Sequence, residues 1–168
     1  MFSLLLRKLV KEDADDIFDN WASDVEVTKY LTWNPHQSKE DTKAILDIWL
    51  KEYEDPHAFR FGIVLKESKE LIGTIDVVGY EEEAPEIGYC LSRKHWNKGY
   101  MSEALQSFIA YLFSIGFNRI VIEADIRNIA SNRVIEKTGF KFTHQEAKER
   151  CSAFKPEPIV VNWYELRK

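Results

Sequence analysis

The sequence predicts an α/β (α+β) domain built on a mixed sheet of about seven strands with helices on both faces. Three observations predict it. Apolar residues recur with period two in seven short runs and with helical period in the stretches between them. The order is one strand, two or three helices, three strands, a helix, a strand, a helix and two strands. Finally, no internal repeat, low-complexity tract or Gly/Ser linker divides the 168 residues, so residues 1–168 are expected to form a single domain.

Residues 4–10 read as a first strand, and Asp13 as the cap of a helix whose face is Ala14, Ile17, Phe18 and Trp21. Asp24 caps a short second helix ending near Leu31, and a loop follows over 32–37. Ser38, with acidic residues behind it, opens a helix through Tyr53 whose face is Ile45, Ile48, Trp49 and Tyr53. Residues 59–65 and 71–80 are strands joined by a charged turn, and 86–91 is a third. Met101, Ala104, Leu105, Phe108, Ile109, Leu112 and Phe113 form a broad apolar helix face, stopped at Gly116. Residues 119–126 alternate as a strand, Asn128 caps a short helix ending at Gly139, and 140–145 and 159–166 are the last two strands.

Composition narrows the function. With 45% hydrophobic and 30% charged residues the chain is an ordinary globular protein. A formal net charge of -5 argues against a general nucleic-acid binder, which needs a basic footprint. No apolar run is long enough to span a bilayer, and the N-terminal leucines turn charged too soon for a signal peptide. Cys90 and Cys151 are the only cysteines, which fits a reducing cytoplasm. His36, His57, His95 and His144 show no ligand spacing and Cys151 completes no set, so no metal site is expected.

The segment from Arg93 to Ala104 carries the most information. A basic turn (Arg93, Lys94, Lys98) opens directly onto a helix, whose first amides lack internal partners and whose dipole favours negative charge. A phosphate-bearing ligand is expected there. The Gly-Lys-Ser/Thr pattern of a nucleotide phosphate loop is absent.

Three elements stand in order: Glu86-Ile87-Gly88-Tyr89, then Trp96-Asn97-Lys98-Gly99-Tyr100-Met101-Ser102-Glu103-Ala104, then the run from Asn128 to Phe140 with Ser131 and Glu136-Lys137-Thr138-Gly139. Together they resemble the GNAT superfamily of acetyl-CoA-dependent N-acetyltransferases, and within it the ribosomal-protein N-terminal-alanine (RimJ/RimL-type) branch. The resemblance implies a mostly antiparallel sheet, splayed at strand 86–92, that takes acetyl-CoA. The family's pantetheine contacts map to Tyr89, Cys90 and Leu91. Its pyrophosphate loop maps to Asn97, Lys98, Gly99, Tyr100 and Met101, with Lys94 before it and the Ser102 hydroxyl near. Lys94 stands where the family has Gln or Arg. Asn97 stands for its first glycine, and Asn tolerates left-handed backbone. Asn128 matches a residue on the pantetheine arm, and Ser131 a serine near the thiol.

Acetyl transfer needs a neutral amine, a polarised carbonyl and a stabilised thiolate. An α-amine, with a pKa of about 8, needs less help than a lysine amine at about 10.4. Glu86, sharing a strand face with Gly88 and Cys90, is the candidate base through a water, or else a surface or dimer-edge carboxylate. The tyrosine acid of many superfamily members is replaced here by Ile135, which leaves Ser131 as the candidate acid, or simply a residue of the helix start. Tyr30 and Trp33 either line the acceptor channel or plug the loop, and Asp76 faces either the acceptor amine or solvent. Cys90 reads as packing rather than a nucleophile, and His95 as loop surface. The expected activity is direct attack of an amine on acetyl-CoA in a ternary complex. The acceptor is a protein N-terminus or a small amine or antibiotic. A CoA-binding module without turnover is the alternative class. The chain is expected to be a monomer or a homodimer.

Overall fold

The structure, a computed structural model, describes residues 2–150 and 156–168. Seven strands, β1 (Leu4–Arg7), β2 (Arg60–Leu65), β3 (Leu71–Glu81), β4 (Ala84–Leu91), β5 (Arg119–Asp125), β6 (Lys141–Glu149) and β7 (Pro158–Arg167), form one sheet in the order β1-β2-β3-β4-β5-β7-β6. Every neighbouring pair is antiparallel except β4 and β5. That parallel step needs a crossover, which α4 (Tyr100–Ser114) supplies. The helices α1 (Ala14–Ile17), α2 (Val25–Thr28) and α3 (Lys39–Glu52) precede β2, and α5 (Ile129–Lys137) follows β5. The predicted mixed sheet is therefore present.

Two apolar layers sandwich it. On one face Ile75, Ile87 and Leu91 pack with Met101, Leu105, Phe108 and Leu112 of α4 and Ile135 of α5. On the other, Val64 and Leu71 pack with Ile17, Trp21 and Leu46 of the N-terminal helices. Trp21 is fully buried. The second layer covers only part of its face. Beyond it, on β4, β5 and β7, Ala84, Val121, Val161 and Trp163 form a small separate cluster.

Local chemistry explains most boundaries. Ser38 Oγ accepts from Asp41 N–H while Asp41 returns a bond to Ser38 N–H, completing the expected capping box. Asp24 Oδ1 accepts from Glu26 N–H, and Asn128 Oδ1 from Ser131 N–H. Gly116 and Gly139 sit at φ 113° and 99°, just beyond α4 and α5, where a Cβ would be strained.

Four expectations are corrected. The first strand stops at Arg7, three residues early, because a tight helical turn over Lys11–Asp13 follows. Asp13 is not a helix cap: its carboxylate reaches back to Val10 N–H (2.8 Å) and takes both Arg7 guanidinium nitrogens at 2.8 Å. The backbone there is helical already, so the cap lies upstream. On α3 the buried face runs through Thr42 and Leu46, and Ile48 is exposed. A neighbouring set at helical spacing competed with the real face. In the last hairpin β6 starts one residue late, at Lys141, but runs on to Glu149, and β7 is one residue longer at each end, because β6 is an edge strand with little apolar alternation to mark it.

The β3–β4 connection turns through Glu82 and Glu83 at φ 47° and 70°. Two left-handed residues give the hairpin the twist it needs, yet neither is Gly or Asn. Glu83→Gly should raise stability by about 0.5–1 kcal/mol, read as a higher midpoint in thermal and urea unfolding. An unchanged or lower midpoint would show that the turn is not strained.

Candidate active site

The site grows from one irregularity of the sheet. β4 and β5 share a single rung, Glu86 opposite Val121. Past it the strands diverge, because β5 leads into α5 while β4 stays in register with β3. Ser92 N–H bonds Ile72 O, so by alternation Cys90 also turns its amide to β3, while Tyr89 and Leu91 turn theirs toward β5. The Leu91 carbonyl accepts the Trp96 indole N–H at 2.8 Å. Tyr89 is thus the residue whose main chain opens into the cleft. Cys90 points its thiol away from α4, bonded to Thr74 Oγ1 at 3.3 Å, and burial pushes that thiol up to about 11. This fits packing, not a nucleophile.

At the wide end of the cleft lies the loop that opens α4. Asn97 and Gly99 adopt φ 58° and 81°, and the first helical bond is Glu103 N–H to Gly99 O. The amides of Tyr100, Met101 and Ser102 therefore have no partner within the helix, and no side chain caps them. A Cβ on Gly99 would meet nothing within 4 Å, so the space before these amides is open. Lys94, Asn97 and Lys98 are exposed around it, and Met101 anchors the helix in the core. Open amides, a helix dipole and two lysines suit a pyrophosphate. His95 is not loop surface: its ring is 11% exposed, 3.5 Å from Glu70 and packed on Tyr100.

The third wall is the start of α5. Ser131 Oγ lies 2.7 Å from the Tyr89 hydroxyl, and Asn128 caps the same turn. Burial pushes Tyr89 up to about 12, partly offset by this bond. A buried amide holds the turn in place. Asn132 donates to the carbonyls of Asp125 (3.0 Å) and Asn128 (2.8 Å), and its oxygen accepts from Tyr164 (2.6 Å) and Asn162 (2.9 Å).

The sheet face turned away from α4 is acidic beside the closed end of the cleft. Burial pushes Glu86 up to about 7, and the like charges of Glu123, Glu81 and Glu146 add to it against Lys148. Lys148 Nζ is held by both Glu123 oxygens at 2.8 and 2.5 Å, over the Trp163 ring. Asp76 shares this face near Gly88, but Arg60 pairs with it at 3.1 Å, and Glu52 pairs with Arg60 in turn. Burial still raises the Asp76 carboxyl to about 6. A carboxylate poised near neutrality suits proton transfer at physiological pH.

Tyr30 reaches the far side of this region. Its hydroxyl donates to Arg127 O at 3.3 Å and its ring lies under the Arg127 guanidinium. Trp33 packs into the N-terminal layer and against His36, so it is brought to the loop's underside. Sequence reasoning missed the network joining these pieces. The Asp125 carboxylate accepts from the Arg127 guanidinium at 2.9 and 2.6 Å and from the Arg127 backbone N–H at 2.9 Å. Buried Arg150 reaches Glu157 at 2.7 Å and the carbonyls of Lys29 and Leu31. Burial works to raise the Asp125 carboxyl, but its bonds to Arg127 outweigh this and hold it below the usual range. Only the Asp125–Arg127 spacing was visible in sequence. Cys151 lies outside the described residues. Among the described residues no cluster of His, Cys, Asp and Glu could hold a metal ion, and no helix is long and apolar enough to cross a membrane.

Comparisons with known proteins agree with this geometry. Over 145 residues the chain is 39% identical to an uncharacterized N-acetyltransferase, p20, of Bacillus licheniformis, covering 82% of this chain and 79% of that one. It is 35% identical over 107 residues to the ribosomal-protein-serine acetyltransferase of Escherichia coli, covering 62% and 59%. Among solved structures, the microcin C7 self-immunity acetyltransferase MccE in complex with acetyl-CoA and AMP superposes with a TM-score of 0.86 over 99% of this chain and 93% of that one, at 17% identity. The acetyltransferase (GNAT) domain family matches residues 3–141. With its splayed seven-stranded sheet and amide-lined loop, the chain belongs to the GNAT family and is an N-acetyltransferase.

Proposed function

We propose that this chain transfers acetyl from acetyl-CoA to a primary amine by direct attack in a ternary complex, as one domain acting in the cytoplasm as a monomer or homodimer. The observation that carries the reading is the cleft itself, with open amides of α4 at one end and Glu86 at the other. The amides of Tyr100, Met101 and Ser102, with Lys94 and Lys98, would hold the pyrophosphate. The Tyr89 main chain and Asn128 would take the pantetheine arm. Bound acetyl-CoA supplies a thioester carbonyl carbon that accepts the amine nitrogen while the C–S electron pair leaves on sulfur.

Glu86 accepts the amine's proton through a water. With its carboxyl near 7, it is ionised enough at physiological pH to do so and basic enough to keep the proton. Ser131 and the first amides of α5 stabilise the negative sulfur. Tyr30, Trp33 and Asp76 are assigned to the acceptor side, Tyr30 at its rim and Asp76 within the acidic sheet face. That acidity supports an acceptor carrying positive charge. A protein N-terminus of the ribosomal type is the leading acceptor, supported by likeness to the Escherichia coli ribosomal-protein-serine enzyme. A small polycationic amine is the second reading, favoured by the acidic residues about Glu86.

Thermal unfolding with and without acetyl-CoA, run beside thiol release over peptides and amines, tests this. At acetyl-CoA about 100 times its Kd, linkage predicts stabilisation of about 2.7 kcal/mol, seen as a saturable rise in Tm. No shift would remove the cofactor site. Release with N-terminal serine or alanine peptides supports the ribosomal reading, and release only with polyamines the second. Binding without any acceptor-dependent release would leave a CoA-binding module.

Glu86→Gln should lower kcat about 10- to 100-fold and flatten its rise through pH 7. A normal pH profile would exclude Glu86 as base. The same change should stabilise the fold in alkali. Burial lifts this carboxyl from 4.5 to about 7, so its favourable contribution is complete below pH 4.5 and is lost as pH rises through 7. The variant should match wild type at pH 4 and exceed it by about 1 kcal/mol at pH 8.5, allowing for solvent screening, in urea titrations.

A further inference from the structure

The Tyr89–Ser131 hydrogen bond joins β4 to the start of α5, and so spans the two sides of the cleft past the single rung. Its direction follows from counting acceptors. Tyr89 also approaches the Ser131 carbonyl, but at 3.5 Å that contact is at the limit of a hydrogen bond, so the phenolic hydrogen goes to Ser131 Oγ at 2.7 Å.

The serine's own hydrogen then needs an acceptor. In a helix it would turn back to the carbonyl four or three residues earlier. Both are occupied. Arg127 O accepts from Ile129 N–H at 3.0 Å and from the Tyr30 hydroxyl at 3.3 Å. Asn128 O accepts from Asn132 N–H at 3.1 Å and from the Asn132 side chain at 2.8 Å. With two lone pairs each, neither has room for a third donor.

We propose that Tyr89 is a positioning residue that, by donating to Ser131 Oγ, turns the serine hydrogen into the cleft toward the sulfur of CoA. This rests on the assignment of Ser131 to the thiol. Tyr89 keeps its proton throughout. Its hydroxyl is a far weaker acid than a thiol of pKa about 8.5, so proton transfer from it to a thiolate is uphill. The pair stabilises negative sulfur by a hydrogen bond, and the sulfur's eventual proton comes from solvent. It thus fills the place left by Ile135, where a tyrosine acid is missing, without acting as an acid.

The test uses the full chain and no acceptor. Calorimetry compares CoA with an analogue bearing hydrogen in place of the thiol, at pH 7 and pH 9.5, for wild type, Tyr89→Phe, Ser131→Ala and the double variant. Wild type should gain about tenfold in relative affinity for CoA between the two pH values, the size of one hydrogen bond to a charged group. Tyr89→Phe keeps the ring in the core and should lose most of that gain, each variant being read against its own affinity for the thiol-free analogue. The double variant should be no worse than Ser131→Ala, because the tyrosine acts only through the serine. A full gain in Tyr89→Phe beside a lost one in Ser131→Ala would overturn the role of Tyr89 alone, as would additive losses in the double variant. A full gain in Ser131→Ala would overturn the thiol assignment, and the proposal with it. Binding of neither nucleotide would overturn the cofactor reading on which both stand.

Discussion

The rest of the site depends on a pairing that stops after one rung. A strand edge in a buried sheet must satisfy its N–H and C=O groups, so an abrupt end to the β4–β5 ladder would be costly if nothing else met them. Part of the need is met internally, by the Trp96 indole on the Leu91 carbonyl. What remains, chiefly the Tyr89 main chain, is an extended edge that an amide-bearing ligand can complete. The same divergence sets the α4 N-terminus on the β4 side of the gap and the α5 N-terminus on the β5 side. Two helix dipoles then converge on a cleft whose floor is unpaired backbone.

Much of this was legible in sequence, and for definite reasons. The caps Ser38, Asp24 and Asn128 act through neighbours within three residues, so their spacing carries the information. Asn97 and Gly99 announce the left-handed turn that opens α4, because few other residues adopt it readily. Asp13 misleads because a carboxylate before an apolar helix face looks alike whether it caps forward or reaches back. Ile48 reads as buried in sequence because α3 offers two overlapping apolar faces.

The unread parts are long-range and polar. Nothing near Ser131 in sequence shows that Tyr89 will meet it across 42 positions. Nothing near Asn132 shows that Tyr164 and Asn162 will fill its oxygen. Such groups are buried only because several partners arrive together, and each alone would be costly. Glu86 is the converse case. Its face was readable from the period of two, but its proton affinity is set first by burial and then by Glu123 and Lys148 on other strands.

The Arg150 clamp bears on the order in which the molecule is built. It ties Lys29 and Leu31 to a residue about 120 positions later, and through Glu157 and Asp125 to the α5 turn. Contacts that close so much chain pay their loop entropy late, after the local hairpins and the β3–β4 ladder are in place. The region around Tyr30 and Arg127, which we propose as the acceptor rim, should then be among the last to assemble and the first to open. Its amides would exchange with solvent sooner than those of β3, and the turn that opens α4 would persist as a preformed body while this region breathes.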